Sequence, residues 1–325
     1  MFKFSFVIPT YNAEQYLDIC LNSIREQSFQ QNEVEIIVAD GGSTDKTLDI
    51  AKKYGAKILI NEKRLAEYGV GLGMREAKGD LAVVFAADNE LVGHDWLSKV
   101  STVFDNKGIS ALWGRLASGP NDPVLNKYFE LIQSDPLNWF LNKNLKIYKK
   151  SAELIGPSCV KFKVDKLRPL VWGANGLIFR TQKIRASWAK DAYMGDNDAF
   201  QSMIERGDNV VAYCDRAFVY HHHVARISDW VKKWRRNFLH HFADKQESRN
   251  MNWVMIAGFK RKLITWVFYN LLLISVLHAI YLAVREKNIY WLYHPLVSYL
   301  QCWTYIFLVL GTGKGRNFLL RRFHG

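Results

Sequence analysis

The sequence predicts an α/β protein with a mixed or parallel sheet flanked by helices, followed by amphipathic and apolar helices near the C-terminus. Residues 1–113 alternate apolar runs of strand length with segments of helical periodicity. Two of those runs end abruptly in polar turns, and the region after residue 225 combines basic, aromatic and long apolar stretches. Alternation of strands and helices is typical of a parallel sheet covered on both faces.

The predicted elements follow in chain order. Strands are expected at 4–8, 34–39, 56–60, 81–87 and 111–116, and helices at about 13–27, 45–54 and 94–104. Prolines exclude a long helix from residues 117–170. Because long irregular segments in compact domains are usually functional or mobile, this segment is expected to face the acceptor or a membrane, or else to be a plain surface excursion. Order returns at 171–225, with a strand, a helix near 196–206 and two further strands.

Polar turns follow two neighbouring strands of the predicted sheet. The run 34–39 ends in Asp40 and two glycines, and the first strand ends in the turn 9–12, with the sequence Pro-Thr-Tyr-Asn. Ligands of open α/β sheets bind at the carboxyl ends of the strands. These two turns therefore predict a nucleotide pocket.

Charge and cysteine content narrow the class of protein. The chain has 325 residues and a formal net charge of +13, which favours an anionic partner. No helix-turn-helix or RNA-binding signature accompanies the charge, so nucleic acid is not expected. Much of the charge lies beside apolar helices, which favours an anionic membrane surface. The four cysteines are far apart without CxxC spacing, which predicts no structural zinc and fits a reducing compartment.

The C-terminal region predicts membrane attachment. Residues 227–242 form a basic amphipathic pattern typical of an interfacial helix, or of a surface helix packed on its own domain. Residues 263–284 and 289–310 contain no Asp, Glu, Lys or Arg and are long enough to cross ~30 Å of hydrocarbon. A transmembrane hairpin is expected, although a buried hairpin or a re-entrant second segment remains open. Basic residues lie outside both segments, so the positive-inside rule predicts a multi-pass protein of the cell (cytoplasmic) membrane. Both of its ends, and the domain at 1–225, are expected on the cytosolic side.

The two turns resemble those of family 2 glycosyltransferases of the GT-A fold. FVIPTYN is similar to the opening strand of that family and VADGGSTD to its nucleotide-binding turn, and the resemblance covers roughly residues 4–225. It implies inverting transfer of a sugar, of hexosyltransferase type, from a nucleotide-sugar donor. The implied contacts to the nucleotide come from Pro9, Thr10, Tyr11, Asn12, Asp40 and Gly41. For Asp40, the alternative is a turn-capping role.

The resemblance also implies a divalent cation, Mg²⁺ or Mn²⁺, because a departing diphosphate needs its charge neutralised. AADNEL resembles the acidic motif of the family, with Asp88 at its second acid and Ala86 in place of the first. The implied ligands are Asp88, which would also contact the donor, Glu90 and a histidine, His221 or alternatively His222. A helix N-cap is the alternative for Asp88.

Two further residues are implied to contact the donor or the acceptor. Arg64 lies where family members often carry a basic residue near the diphosphate, although a surface arginine is the alternative. Asn175, in a glycine-rich loop, would contact the donor sugar or the acceptor, or else belong to a strand-entry turn. The glycines at 69, 71 and 73 are only a weak indication of phosphate binding.

A catalytic base is implied by GDNDAF at 195–200, which resembles the family's acidic motif with Gly195 in place of a glutamate. Asp196 would remove the proton of the acceptor hydroxyl, with Asp198 as the second acid. Favourable charge at a helix N-terminus is the alternative. A polyprenyl phosphate acceptor arrives ionised and needs no base, in which case Asp196 would orient the acceptor or a metal.

These patterns predict three regions: a catalytic domain at 1–225, basic amphipathic helices at 226–262 and a transmembrane hairpin with a basic tail at 263–325. The expected function is sugar transfer to a lipid-linked or membrane-proximal acceptor, a polyprenyl phosphate or lipid-linked glycan, in glycan or cell-envelope biosynthesis. Two alternatives stand: a soluble or protein acceptor with the hairpin as a mere anchor, and an inactive scaffold, suggested by Ala86 and Gly195.

Overall fold

The computed structural model describes residues 2–141, 148, 151–167, 170, 176–187, 193–222, 226–243 and 258–323. They divide into two compact units, of which the first contains the described residues of 2–119 and 148–222, and the second those of 120–141, 226–243 and 258–323. The segment 120–141 therefore groups with the C-terminal helices, whereas the sequence suggested one domain over 1–225.

The first unit is built on a mixed sheet. Its strands are β1 (Phe4–Thr10), β2 (Val34–Asp40), β3 (Lys57–Ile60), β4 (Leu81–Val84), β5 (Asn89–Leu91), β6 (Ala111–Ala117), β7 (Glu153–Gly156), β8 (Cys159–Lys163), β9 (Leu177–Arg180) and β10 (Val210–His221). Their order within the described residues is β3-β2-β1-β4-β9-β6-β10-β8-β7, with β5 paired to β10. The predicted mixed sheet is confirmed.

Helices of the first unit flank this sheet, and further helices make up the second unit. In chain order they are α1 (Glu14–Arg25), α2 (Thr47–Lys53), α3 (Ala66–Glu76), α4 (Trp96–Val103), α5 (Val124–Ile132), α6 (Pro136–Leu141), α7 (Thr181–Ser187), α8 (Asp196–Glu205), α9 (Ile227–Asn237), α10 (Phe259–Leu271), α11 (Ile274–Arg285), α12 (His294–Gly311) and α13 (Gly313–Phe323). Short 3₁₀ turns lie at Gln31–Glu33 and Ile289–Tyr293, and a π-helical turn lies at Phe238–Phe242.

Both faces of the sheet are buried. Successive residues of a strand point to opposite faces, so Phe6 and Ile8 join a core with α1 and α4, while Val7 joins a second core with α3 and α8. Strands buried on both faces read as continuous apolar runs. This explains why β1 and β2 were recognisable in the sequence.

The glycines of α3 serve packing. A Cβ atom at Gly73 would lie 2.3 Å from Cγ1 of Val7, and one at Gly69 would lie 3.0 Å from Cβ of Pro9. Glycine at these positions lets α3 approach β1 closely. The run that gave a weak indication of phosphate binding is thus a contact between a helix and the sheet.

A disulfide joins two strands of the first unit. β8 and β10 are antiparallel, and their register places Cys159 opposite Cys214, which form a bond. Cys20 and Cys302 are free and buried. The sequence separation of 55 residues gave no indication of this pair, and the expectation of a reducing compartment had treated all four cysteines as thiols.

The second unit has its own core, which covers the apolar face of α9. Trp230 and Trp234 of α9 are buried against Tyr128 of α5 and Val297 of α12. The interfacial helix expected at 227–242 is therefore corrected in one respect: its tryptophans face protein, as in the alternative of a helix packed on its own domain.

The two predicted membrane segments form shorter helices than expected. Residues 263–284 are divided between α10 and α11, which meet at an 86° bend. Among the described residues, no single helix has both the length and the apolar character to cross a bilayer, while this bent pair passes that test jointly. Residues 289–310 form a 3₁₀ turn and α12, which buries the polar residues Ser298 and Gln301.

Candidate functional site

The candidate site lies at the carboxyl edge of the sheet. β1 is parallel to β2 and β4, and the register places Pro9 beside Ala39 and Thr10 beside Asp40. β10 runs in the same direction, because it is parallel to β6 and both β6 and β4 are antiparallel to β9. The carboxyl ends of these strands therefore share one edge, which is where open α/β sheets bind ligands.

Asp40 organises the turn after β2. Its Oδ1 accepts hydrogen bonds from Oγ1 of Thr10 (2.9 Å) and Oγ of Ser43 (2.5 Å), and its Oδ2 accepts from the N–H groups of Gly42 (2.9 Å) and Ser43 (2.8 Å). Burial opposes ionisation of this carboxyl, but the hydrogen bonds, led by those of Ser43, outweigh it and lower the pKa of Asp40. Asp40 thus has the turn-capping role, and its contact with a nucleotide base stays a prediction.

The turns after β1 and β2 are tied to each other. Asn12, at φ 47°, donates its N–H to Oγ of Ser43 (2.8 Å) and accepts the N–H of Thr44 at Oδ1 (2.9 Å). Asparagine tolerates this left-handed backbone better than most residues. These bonds make Asn12 a positioning residue that fixes both turns, whereas its predicted contact with the nucleotide is untested.

Arg64 and Tyr11 lie against the glycines of the second turn. A Cβ at Gly41 would lie 3.4 Å from Cα of Arg64 and Cδ2 of Tyr11, and one at Gly42 would lie 3.6 Å from Nη2 of Arg64. Gly42 has φ +86°, which favours glycine. An exposed aromatic ring and a guanidinium beside this turn suit the stacking of a base and the binding of phosphate.

β10 brings two histidines to the turn between β4 and β5. Nε2 of His221 lies 3.4 Å from Oδ2 of Asp88, and Nε2 of His222 lies 2.8 Å from Oε2 of Glu90. The N–H of His222 also donates to the carbonyl of Asp88 (2.8 Å), and Tyr16 of α1 stacks on the His222 ring. The structure therefore gathers the predicted metal ligands, and Glu90 is paired with His222. Because α4 begins well after Asp88, Asp88 is not its N-cap.

Asp88 and His221 fit two positions of a divalent cation site. Adjacent ligands ~2.1 Å from an octahedral cation lie about 3 Å apart, close to the 3.4 Å between Oδ2 of Asp88 and Nε2 of His221. Throughout the described part of the chain, no three His, Cys, Asp or Glu residues form a group that could hold a metal ion. The remaining ligands would have to come from diphosphate oxygens and water, as is usual for Mg²⁺.

Asp196 begins α8 and carries an enclosed carboxyl. Its Oδ1 accepts the N–H of Asn197 (2.8 Å), while its Oδ2 is buried without a hydrogen-bond partner among the described residues. Burial raises the pKa of Asp196 to about 7; the Asn197 N–H opposes this rise, and the carboxylates of Glu67 and Asp198 add to it. A carboxylate with this pKa is matched to proton transfer near neutral pH.

Glu67 was not identified from the sequence. It lies in the first turn of α3, and its carbonyl accepts the N–H of Met194 (2.9 Å), which ties α3 to the segment before α8. Its carboxylate contributes to the raised pKa of Asp196. The available indication was its place directly after the turn that follows β3, at the same edge of the sheet.

Gly195 makes room for Asp198. The Asp198 side chain is buried, and a Cβ at position 195 would lie 2.6 Å from its Oδ2. A glutamate at this position, as in the family pattern, would displace Asp198. The departure at Gly195 is therefore explained by packing within the turn.

Asn175 lies outside the described residues. The next residue, Gly176, has φ +72° and donates its N–H to the carbonyl of Val84 (3.0 Å). β9 therefore begins at the edge where β4 ends.

The chain matches the family described as glycosyl transferase family 2 over residues 5–166. Poly(ribitol-phosphate) beta-N-acetylglucosaminyltransferase TarS of Staphylococcus aureus is 33% identical over 111 residues, which cover 32% of this chain and 19% of that protein. Dolichyl N-acetyl-alpha-D-glucosaminyl phosphate 3-beta-D-2,3-diacetamido-2,3-dideoxy-beta-D-glucuronosyltransferase of Methanococcus voltae is 39% identical over 90 residues, 26% of this chain and 28% of that protein. Each alignment thus spans less than a third of the relative's own length.

Solved structures share the fold. The crystal structure of TarS 1-349 in complex with UDP superposes with a TM-score of 0.51 at 17% identity, covering 95% of this chain and 92% of that one. The mannosyltransferase PcManGT from Pyrobaculum calidifontis, in complex with GDP-Man and Mn²⁺, gives 0.53 at 14% identity, covering 92% and 87%.

The chain therefore shares its fold with two glycosyltransferases whose structures contain a nucleotide or a nucleotide sugar. The sequence match over residues 5–166 is more specific, and it shows that the chain belongs to glycosyl transferase family 2 and is a glycosyltransferase.

Proposed function

We propose that the chain transfers a sugar from a nucleotide diphosphate donor to a lipid-linked or membrane-proximal acceptor, with inversion at the anomeric carbon. The observation that carries the proposal is the enclosed Asp196 carboxyl, with its pKa raised to about 7, at the start of α8. Structures of similar fold contain UDP or GDP-Man. The Methanococcus voltae relative is named for a dolichyl-linked sugar phosphate, which supports a lipid-linked acceptor.

Donor binding is assigned to the turns after β1 and β2. The exposed ring of Tyr11 is available to stack on a base, and it lies beside Gly41 of the Asp40 turn. The guanidinium of Arg64 lies beside Gly42, where it would counter the diphosphate. Asp88 and His221 would hold a divalent cation, which when bound would neutralise charge on the leaving diphosphate.

Asp196 is assigned to the acceptor. Its carboxylate accepts the proton of an acceptor hydroxyl, whose oxygen forms a bond to the anomeric carbon from the face opposite the diphosphate. The bond from that carbon to the diphosphate oxygen breaks, and the diphosphate leaves with the electron pair. With an acceptor that is already a phosphate anion, no proton has to be removed, and Asp196 would orient the acceptor instead.

A transfer assay tests this function. The purified chain is mixed with UDP-, GDP- and dTDP-sugars and with polyprenyl phosphate or a membrane lipid extract, with and without Mg²⁺ or Mn²⁺. Lipid-dependent release of nucleoside diphosphate is expected, and it should disappear in Asp88→Ala and Asp196→Ala. Asp49→Asn, an exposed acid on α2, is the matched control and should keep the activity.

Other outcomes separate the alternatives. Donor binding by calorimetry without turnover on any lipid, but with turnover on a soluble sugar or protein, would replace the lipid acceptor with a soluble one. Neither binding nor turnover with any donor would contradict the enzyme assignment and favour a scaffold.

A further inference from the structure

The outer face of α10 and α11 exposes a series of large apolar side chains, here named the apolar ridge. Its members are Ile264, Phe268, Leu271, Leu272, Leu273, Ile274, Val276, Leu277, Ile280, Tyr281 and Val284. The same helices bury Trp266, Tyr269, Ala279 and Leu282 within the second unit. Because monomeric proteins in water rarely expose so many neighbouring apolar side chains, the ridge marks an interaction surface.

The charges around the ridge match an anionic lipid surface. Residues 263–284 contain no Asp, Glu, Lys or Arg, whereas three consecutive cations stand at 260–262. At the other end, Arg285 and Lys287 flank Glu286, which pairs with Arg285 and leaves a net positive charge. A second copy of the chain on the ridge would bring these cations against each other. Anionic headgroups, in contrast, attract them at both ends.

The bend limits how deep the ridge can reach. At ~1.5 Å per residue, α10 with 13 residues and α11 with 12 are each about 18–20 Å long. Neither crosses a hydrocarbon core of ~30 Å. Two such arms that meet at 86° and return to one surface reach a depth of about 13 Å, close to the hydrocarbon of a single leaflet. Leu272 and Leu273, at the bend, would then lie deepest.

The helix beside the ridge, α12, is buried along one side and exposes Leu296, Phe307 and Leu310 along the other. α12 packs against α9, α10 and α11, and its Gln301 accepts the N–H of Leu137 at Oε1 (2.8 Å). α9 exposes Lys232, Arg235 and Arg236. These charges belong in water or among headgroups. They keep α9 out of the hydrocarbon, and α12 is among the described helices that lack the length and apolar character of a membrane span.

From these observations we infer that α10 and α11 enter and leave a single leaflet of an anionic membrane, with both basic ends in one headgroup layer. The occupant of the ridge is the acyl-chain region of that leaflet. This seating replaces the crossing hairpin expected at 263–284 and 289–310. It goes beyond the proposed sugar transfer and does not depend on the donor site or on Asp196.

Vesicle flotation tests the seating. The full chain, freed of detergent, is mixed with phosphatidylcholine vesicles with or without phosphatidylglycerol, and it is expected to float with the anionic vesicles. Leu277→Glu should lower binding at least tenfold. Leu154→Glu is the matched control, because Leu154 in β7 is equally exposed at 71%, and it should bind as the wild type does. Equal binding of Leu277→Glu and the wild type would overturn the inference.

Flotation also separates this inference from the proposed function. Asp196→Asn should float as the wild type does, even if it transfers no sugar. A chain that transfers sugar but does not float contradicts only the seating, and a chain that floats without activity contradicts only the function.

Depth and sidedness are measured on vesicle-bound protein. A fluorophore on Leu272→Cys should be quenched more strongly by a nitroxide deep in the acyl chain than by one at the headgroup. Lys262→Cys and Lys287→Cys should both react with an impermeant maleimide added outside. Protection of only one of these two positions would mean a crossing segment and overturn the inference.

Light scattering without vesicles tests whether a second copy of the chain, and not lipid, covers the ridge. The wild type is expected to show no dimer that depends on the ridge. A dimer that Leu277→Glu dissociates would assign the ridge to a second copy of the chain and overturn the lipid seating.

Discussion

Individual carboxyl groups at the sheet edge differ in protonation because their surroundings differ. Asp40 receives two backbone and two hydroxyl hydrogen bonds, which hold it charged. Asp196 is enclosed with one oxygen unpartnered among the described residues, and its pKa is raised to about 7. Environments that move pKa values apart in this way assign different tasks to chemically identical groups. Asp40 is therefore suited to fixing a turn, and Asp196 to exchanging a proton.

Replacing Asp196 by asparagine removes the proton acceptor while keeping the shape of the side chain. With a hydroxyl acceptor we expect kcat to fall by about 10²–10⁴-fold, the usual contribution of general base catalysis, and donor affinity to stay unchanged. Initial rates and calorimetric titration of the donor measure the two effects, with Asp49→Asn as the control. A variant with unchanged kcat would exclude Asp196 as the base.

The raised pKa of Asp196 predicts the pH dependence of the rate. Because the base must be ionised, kcat/KM with a hydroxyl acceptor should fall as pH decreases below about 7. Above that pH the rate should level off, since the carboxylate is already charged. The profile of Asp196→Asn should lack this ionisation. A wild-type profile that stays flat between about pH 5 and 8 would contradict the assignment.

The sequence located site residues that follow strand ends, since Asp40 and Asp88 stand directly after apolar runs. It did not reveal Glu67, whose influence on Asp196 depends on how α3 and α8 meet in space. Nor could it show that His222 pairs with Glu90, because that contact follows from the antiparallel pairing of β5 and β10. Residues that act through local sequence were predictable, and those that act through tertiary contacts were not.

Among the elements, the contact of α3 with β1 sets a limit on side-chain size. Gly73→Ala would place a Cβ 2.3 Å from Val7. Such overpacking destabilises the fold by about 1–3 kcal/mol. Replacing glycine by alanine in a helix stabilises it by ~1 kcal/mol, so a net loss of stability is expected. Urea unfolding should therefore show lower stability. Gly311→Ala at the end of α12, where a Cβ meets nothing within 4 Å, is the control. An equally stable Gly73→Ala would mean that α3 can shift away from the sheet.

The bond between β8 and β10 predicts a measurable contribution to stability. Closing a separation of 55 residues is worth about 4 kcal/mol in the chain-entropy model. Cys159→Ala should lower the free energy of unfolding. Reductant should lower the free energy of unfolding of the wild type and leave that of Cys159→Ala unchanged. Thiol titration after unfolding without reductant should find two free thiols of the four cysteines. Four free thiols would show that the bond is absent, as in a reducing compartment.

The sequence predicted where strands and helices lie better than it predicted where a helical segment is interrupted by a bend. β1 and β2 matched their apolar runs closely, because both faces of the sheet are buried. The bend between α10 and α11 was missed, since no proline or glycine stands at 272–273 and Leu273 has φ 56° without any local sequence cue. Uncharged residues on both sides of such a bend read as one continuous helix.

For the whole molecule, the net charge of +13 and the apolar ridge predict two separable parts of membrane binding. Raising NaCl from about 0.05 M to 0.5 M screens headgroup attraction, because the Debye length shortens severalfold. At high salt, the wild type should bind phosphatidylglycerol vesicles more weakly but still float with them. The Leu277→Glu variant should no longer bind. Complete release of the wild type by salt would mean that the ridge contributes nothing.

Sequence periodicity also could not tell what covers an apolar face. Apolar residues recur at helical spacing in both α9 and α11, yet Trp230 and Trp234 are buried in protein while Leu277 is exposed. The sequence shows that a helix has an apolar face, whereas tertiary contacts decide what covers it, as α5 and α12 do for the tryptophans of α9.

The bend between α10 and α11 has a consequence for how substrates meet. With the inferred seating in one leaflet and the proposed lipid acceptor, the chain would search for that acceptor by diffusion in two dimensions, and every acceptor it reached would carry its headgroup on the same side. Glycosylated lipid would accordingly build up asymmetrically, and delivery to the opposite face would require a separate flipping step.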